Sequence, residues 1–236
     1  MGTTASESPH PLDNAVWWTL RSRHRELARV RGGARAYRSD VSVFGAVDTF
    51  EAASWADLSE VLGPSKSCAL FRRTVPSDLP PGWVTVGRVS CPQMLVEADA
   101  LAPVATVALR RLTPDDVPRM LDLIARTEPG PFRSRTIAMG NYYGHFEGAD
   151  LVAMAGERLS FDGYTEISAV CTHPDVQGRG FGSALTHHVA SEILARGEQP
   201  FLHVAATNSG ARRVYEKLGF TERRLVEAVL VQAPPR

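Results

Sequence analysis

The sequence predicts a mixed α/β fold of the α+β kind, and three observations carry that expectation. Segments with apolar residues at helical spacing alternate with β-branched runs of strand length. Three strand-like runs, 142–147, 151–161 and 164–172, are separated only by Gly148-Ala149-Asp150 and Asp162-Gly163, which reads as an antiparallel meander. A glycine-rich loop then follows the third run and opens a helix.

In chain order, residues 1–11 are rich in Ser, Thr and Pro and read as a flexible tail. Met1 to Ser6 also fits the loose N-myristoylation pattern, but most of its positions are wildcards and no polybasic patch follows. Trp17, Leu20, Leu27 and Val30 fall at helical spacing, so a helix is expected over 12–30, capped by Asp13 or Asn14 and stopped by Gly32-Gly33. A second helix is expected over 50–62, with strands over 68–72, 83–89 and 93–97. The weakly patterned 98–104, with Pro103, reads as a linker. It divides an N-terminal α+β domain over 12–103, which has no cofactor motif in strand–loop–helix context, from a second domain over 104–236. That domain opens with a strand over 106–112. Thr113-Pro114-Asp115-Asp116 supplies cap, first-turn proline and acidic first turn for a helix to 126, and a short helix follows over 133–139. After the meander come a helix over 180–196, a strand over 201–205, a helix over 209–218 and a last strand over 220–231.

Composition narrows the function by exclusion. The 236 residues are 44% hydrophobic and 22% charged, enough for a packed core without metals or disulfides. Basic and acidic residues balance at 26 each, so no net field draws the chain to nucleic acid or membrane, and neither is expected as a partner. The arginines between 21 and 38 could grip phosphates or form a solvated helix face. Cys68, Cys91 and Cys171 are odd in number, widely spaced and without a nearby histidine at metal-ligand spacing, which points to no metal and a reducing, cytoplasmic setting. A monomer or homodimer is expected.

The informative segment is Gln177-Gly178-Arg179-Gly180-Phe181-Gly182. Glycines at a helix start let backbone N–H groups approach an anion, and the helix dipole favours negative charge there; a tight turn without ligand would use the same residues. A Walker loop would end in Gly-Lys-Ser/Thr, whereas Gly182 is followed by Ser183 and Ala184. A dinucleotide fingerprint would space the third glycine differently and put an acid after the next strand, where Ala206-Thr207-Asn208 stand. The segment resembles motif A, Gln/Arg-x-x-Gly-x-Gly/Ala, of the GNAT superfamily of acetyl-CoA-dependent N-acetyltransferases. Val170-Cys171-Thr172-His173-Pro174-Asp175 leads into it as that family's fourth strand does, and the run from Asn208 through Tyr215-Glu216-Lys217-Leu218-Gly219-Phe220 is similar to the family's asparagine-to-YEKLGF segment. Arg29-Val30-Arg31-Gly32-Gly33-Ala34 also satisfies motif A but follows a helical pattern, so strand–loop–helix context decides between the two.

The resemblance covers about residues 105–232 and implies a mostly antiparallel twisted sheet flanked by helices, with the N-terminal half a degenerate copy beside it that walls the acceptor pocket. It implies acetyl-CoA as cosubstrate and an amine as acceptor. Val170, Cys171 and Thr172 would bind the pantetheine arm and Gln177, Gly178, Arg179, Gly180, Phe181, Gly182 and Ser183 the pyrophosphate. Asn208 would reach the pantetheine or serve only as a helix cap. Glu166 occupies the position of the general base in several members, or is a surface carboxylate paired with an arginine. Tyr215 stands where the family's acid protonates the leaving thiolate, or packs against the sheet. His203 is a weaker site residue. The acceptor would be set by residues 128–141, where Arg133 and Arg135 could meet an acidic group or stand in solvent. A non-catalytic acyl-CoA-binding regulatory module is the alternative function.

Overall fold

The structure is a computed structural model describing residues 10–235. The acylation pattern and all but the last two residues of the expected tail lie outside the described residues. Eleven strands form one sheet: β1 (Ala28–Arg31), β2 (Ala34–Tyr37), β3 (Phe44–Val47), β4 (Ser67–Arg72), β5 (Val84–Leu95), β6 (Arg110–Arg111), β7 (Tyr142–Glu147), β8 (Asp150–Phe161), β9 (Tyr164–Thr172), β10 (Gln199–His203) and β11 (Thr221–Gln232). Five helices flank it: α1 (Ala15–Arg21), α2 (Ala52–Leu62), α3 (Val117–Thr127), α4 (Phe181–Ala195) and α5 (Ser209–Lys217). This is the expected mixed α+β class, antiparallel except for the β3/β4 and β9/β10 pairs.

The strand order is β1-β2-β3-β4-β11-β5-β10-β9-β8-β7-β6. Read outward from the centre, the two flanks repeat one pattern. β1–β2–β3 is an antiparallel meander leading through α2 into β4, parallel to β3, and β7–β8–β9 leads likewise through α4 into β10, parallel to β9. Each flank is then completed by the other's last strand, since β11 pairs with β4 and β5 pairs with β10. The β5/β11 ladder, running from Thr221↔Leu95 to Gln232↔Val84, joins them.

Packing follows from the periodicities. Leu185, Val189 and Ile193 recur every four residues on α4 and are fully buried against the sheet with Leu202, Leu218 and Phe220. On the other flank α2 buries Trp55 and Leu58 against Leu70, Val229 and Val231. α1 closes the opposite face near the centre through Val16 and Leu20, packed with Phe44, Phe161 and Phe201.

The expected helix over 12–30 is corrected: it stops at Arg21, and 28–37 form the β1/β2 hairpin around Gly32-Gly33. Gly32 has φ +41 and Gly33 N–H donates to Asp57 Oδ2 at 2.8 Å, a turn that side chains would strain. The basic stretch is consequently no single helix face. Arg23 pairs with Glu198, Arg31 with Glu60, and Arg35 lies over Trp17 on three different elements. The expected strands over 83–89 and 93–97 are one strand, β5, continuous through Pro92, and the strand expected over 106–112 is paired only at Arg110–Arg111.

Candidate active site

β9 and β10 pair in parallel from Tyr164↔Gln199 to Ile167↔Leu202 and then part. Beyond that point β10 turns to β5, with Val204 N–H on Pro92 O and Ala206 N–H on Ser90 O. On β9 the register against β8 shifts from Gly156↔Ser168 to Met154↔Cys171, so Ala169 and Val170 together face Ala155. Ala169 takes φ +53 to make this bulge. Ser168, Ala169 and Val170 are left half-exposed along the opening, while Cys171 is buried.

The glycine loop lies at the far end of β9. Gly178 and Gly180 have φ of +81 and +85, and the space where a Cβ would stand is open at both. Gly180 is the cap residue of α4 and no side chain caps the helix, so the first N–H groups of Phe181, Gly182 and Ser183 have no intrahelical partner and point out of the helix start. A Cβ on Gly182 would come within 3.7 Å of Thr172 Oγ1, and Gln177 Nε2 reaches Thr172 O at 3.4 Å, which places the loop against the end of the opening. Arg179 is tied to Glu147 at 2.7 Å and lies over Phe181. The donors suit an elongated anion, with its negative end at the helix start and a hydrogen-bonding arm along 168–172. The corresponding segment before α2 (Ala52–Leu62) carries no glycine: Thr49-Phe50-Glu51 lead into the helix, with Asp48 Oδ1 accepting from Thr49 N–H and Ser54 Oγ–H, each at 2.6 Å.

At the parting point stands a buried charge cluster. Glu166 is fully buried and accepts from Arg158 Nε at 2.8 Å and Nη2 at 2.6 Å. Its Oε1 is also 2.6 Å from His203 Nδ1. Gln93 Nε2 donates to Leu12 O and lies 2.9 Å from His203 Nε2, while Gln93 Oε1 accepts from Arg223. The Gln93 amide thus points an N–H at Nε2, and His203 carries its proton on Nδ1 and gives it to Glu166. Burial alone would raise the Glu166 carboxyl, but the charge and hydrogen bonds of Arg158, and then the hydrogen bond from His203, hold it at about 2. The reading of Glu166 as a surface carboxylate is corrected: it is paired with an arginine, but in the interior. Three hydrogen bonds engage the carboxylate, two on Oε1 and one on Oε2, and no part of it is exposed.

The other expected residues fall as follows. Tyr215 is buried and packs beside Phe220, and its phenol is pushed up to about 12 by burial, with Cys171 adding to the effect. Burial pushes the Cys171 thiol up to about 11, the reverse of an acyl-carrying thiolate. Asn208 caps α5 by accepting from Ala211 N–H at 3.0 Å, which is one of its two expected roles. Arg135 pairs with Asp40 at 3.2 Å.

Sequence reasoning missed Arg158 and Gln93 and gave His203 too little weight. It also did not foresee the cavity beside them, ≈ 710 Å³ in volume. Its walls come from β3, β4, β5 and β11, from Pro129–Pro131 and Arg133 after α3, and from Arg158, His203 and Ala205 at the parting point. A water-sized hollow at Ser168 and Ala169 shares Arg158 and the Pro129–Pro131 segment with it.

Known proteins resemble this chain in sequence and fold. The FR47-like protein family model matches residues 142–229. A structure described as a GNAT-family acetyltransferase from Novosphingobium aromaticivorans is 33% identical over 97% of this chain and 100% of its own, with a TM-score of 0.86. The ribosomal protein bS18 alanine N-acetyltransferase of Escherichia coli is 31% identical over 113 residues, 45% of this chain and 76% of that one. Mycothiol acetyltransferase of Streptomyces griseus is 43% identical over 71 residues, 28% of this chain and 20% of that one. A sheet whose parallel strands part beside an uncapped helix start, in a chain with these relatives, defines an acyltransferase. The chain belongs to the GNAT superfamily of acetyltransferases.

Proposed function

We propose that this enzyme moves an acetyl group from acetyl-CoA to a primary amine of a small metabolite, peptide or protein by direct attack in a ternary complex. The observation that carries the reading is the continuous path from the free N–H groups of α4, along Ser168 to Thr172, to the parting point of β9 and β10. The large cavity opens beside it. The loop would hold the pyrophosphate, and the half-exposed backbone at the bulge would bond the pantetheine amides. Residues 28–72, whose strand and helix order repeats that of 142–203, would be a second copy that lacks the glycine loop before its helix, contributing walls to the acceptor cavity.

In this scheme the acceptor must lose a proton, since a free alkyl ammonium has a pKa of about 10.4. Glu166 is already ion-paired, so the proton passes to cavity water. Glu166 and His203 act by position, fixing Arg158 at the junction of slot and cavity. Tyr215, protonated across the working pH range, donates a hydrogen bond to the departing sulfur.

Thiol release from acetyl-CoA is expected only when an amine from a broad panel is added, with intersecting double-reciprocal lines. Tight coenzyme binding with no release across the panel would instead make the protein a regulatory acyl-CoA-binding module, and parallel lines would require an acyl-enzyme. Gly180→Val tests the phosphate position. Its positive φ costs about 1–3 kcal/mol in any β-branched residue. The new side chain fills open space beside the free N–H groups, so acetyl-CoA affinity should fall about tenfold or more while the fold persists. Unchanged affinity would remove the loop from the coenzyme site.

A further inference from the structure

We infer that the acceptor is an apolar amine bearing its own carboxylate, with its apolar body in the cavity and its carboxylate against Arg133 and Arg158. This rests on the acetyl-transfer reading above and names the substrate class of the same site. The cavity wall is apolar over most of its extent, with Val43, Phe44, Phe71, Val89, Ala228 and Leu230 facing one space. Burying an apolar body of matching size there is favourable in proportion to the apolar area removed from water, whereas a strongly hydrated acceptor would lose water without replacement.

Charge selects further. Among the described residues, no Asp or Glu lines the cavity. Three arginines do, but Arg88 turns its guanidinium to Glu227, Val75 O and Pro76 O and is spoken for. Arg158 differs. Its Nε and Nη2 hold Glu166, its side chain is only 12% exposed, and its Nη1 makes no hydrogen bond among the described residues. Nor is that Nη1 among the fully enclosed polar atoms without a partner, so part of its surface stays accessible. The guanidinium lies over Phe44 at 4.8 Å and Phe71 at 5.8 Å, which fixes its plane at the cavity wall. Arg133, exposed at the rim, forms no ion pair among the described residues.

An acceptor with a second ammonium would meet these arginines with no carboxylate to offset it. One with a carboxylate beside its amine gives Nη1 and Arg133 an acceptor and brings the amine to the junction of slot and cavity. Glu166 keeps Arg158 in place but cannot satisfy Nη1, so the site retains donors for one more anion.

The test compares L-phenylalanine, phenethylamine and cadaverine as acceptors in the thiol-release assay, with the full chain. Phenylalanine is expected to exceed phenethylamine in kcat/KM by about tenfold or more, with cadaverine lowest. Arg133→Ala should collapse the phenylalanine-to-phenethylamine ratio toward one, and Arg133→Lys should restore part of it. A ratio at or below one, a ratio untouched by Arg133→Ala, or a preference for cadaverine would overturn the inference. If no amine releases thiol, the acetyl-transfer reading fails, and calorimetry still decides the site's preference. N-acetyl-L-phenylalanine should bind the coenzyme A-loaded protein about tenfold tighter than N-acetylphenethylamine, and equal or undetectable binding of the two overturns the inference independently of turnover.

Discussion

Glu166→Gln is expected to melt about 6–20 °C below the parent chain, the largest stability loss of any single polar substitution considered for this fold. The change leaves Arg158, only 12% exposed, without its counter-charge. Breaking a buried pair from one side costs about 3–5 kcal/mol, and each kcal/mol moves the midpoint of a chain this long by about 2–4 °C. The double variant Arg158→Met, Glu166→Leu should recover much of the loss, because no orphaned charge remains. The pH dependence has a defined sign. The carboxyl sits at about 2 in the folded chain against an ordinary 4.5. Its stabilising contribution is therefore complete above pH 4.5 and is lost as pH falls through 2. Differential scanning calorimetry should find the gap between parent and Glu166→Gln constant from pH 5 to 8 and narrowing between pH 4.5 and 2. A shift under about 2 °C at pH 7 would mean that water solvates Arg158 and that the cluster is not the rigid post described here.

Tyr215→Phe is expected to lower kcat by about a hundredfold, the scale for loss of one donor to a developing anion, while acetyl-CoA affinity stays within about twofold. The ring is almost wholly enclosed among core side chains, and phenylalanine keeps that packing, so the fold should tolerate the change. Burial holds the phenol at about 12, so it stays protonated throughout an ordinary assay range and adds no ionisation of its own to the rate profile below about pH 11. Steady-state kinetics with any accepted amine, together with direct coenzyme titration, separate the two quantities. A kcat within about twofold of the parent would reduce Tyr215 to a packing residue and leave water to stabilise the sulfur.

How much of this was legible in the sequence differs between the two flanks. β7, β8, β9, α4 and α5 lie where expected to within a residue or two, because each is long enough for its period to show and is bounded by Gly148, Gly163, Gly180 or Gly219. β1, β2 and β3 are four residues each. Alternation cannot establish itself over that length, and the arginines of the exposed edge strand β1 looked like one side of a helix. Pro92 divided β5 on paper; in the sheet its carbonyl still accepts from Val204 and only its missing N–H is absent from the ladder. The glycine loop was readable because positive φ demands glycine at 178 and 180. Glu166 was singled out, but its partners were not. The Asp162-Gly163 turn pairs Phe161 with Tyr164 and by simple alternation would set Arg158 opposite Ile167; the register shift between Glu157 and Ser160, which no local pattern announces, brings Arg158 to Glu166. The cavity left no local trace, because its walls come from segments as distant as Val43 and Leu230.

The exchange of β5 and β11 between flanks has a consequence for how the molecule comes into being. β4 and β5 gain their common neighbour only when 221–232 are available, and Ala228 and Leu230 form part of the cavity wall. A chain growing from its N-terminus must therefore wait, with two long unsatisfied strand borders, until nearly the last residue of that segment has been made. The cavity and the completion of synthesis are coupled: a truncated product lacks not one corner of the pocket but the seam that makes it a pocket.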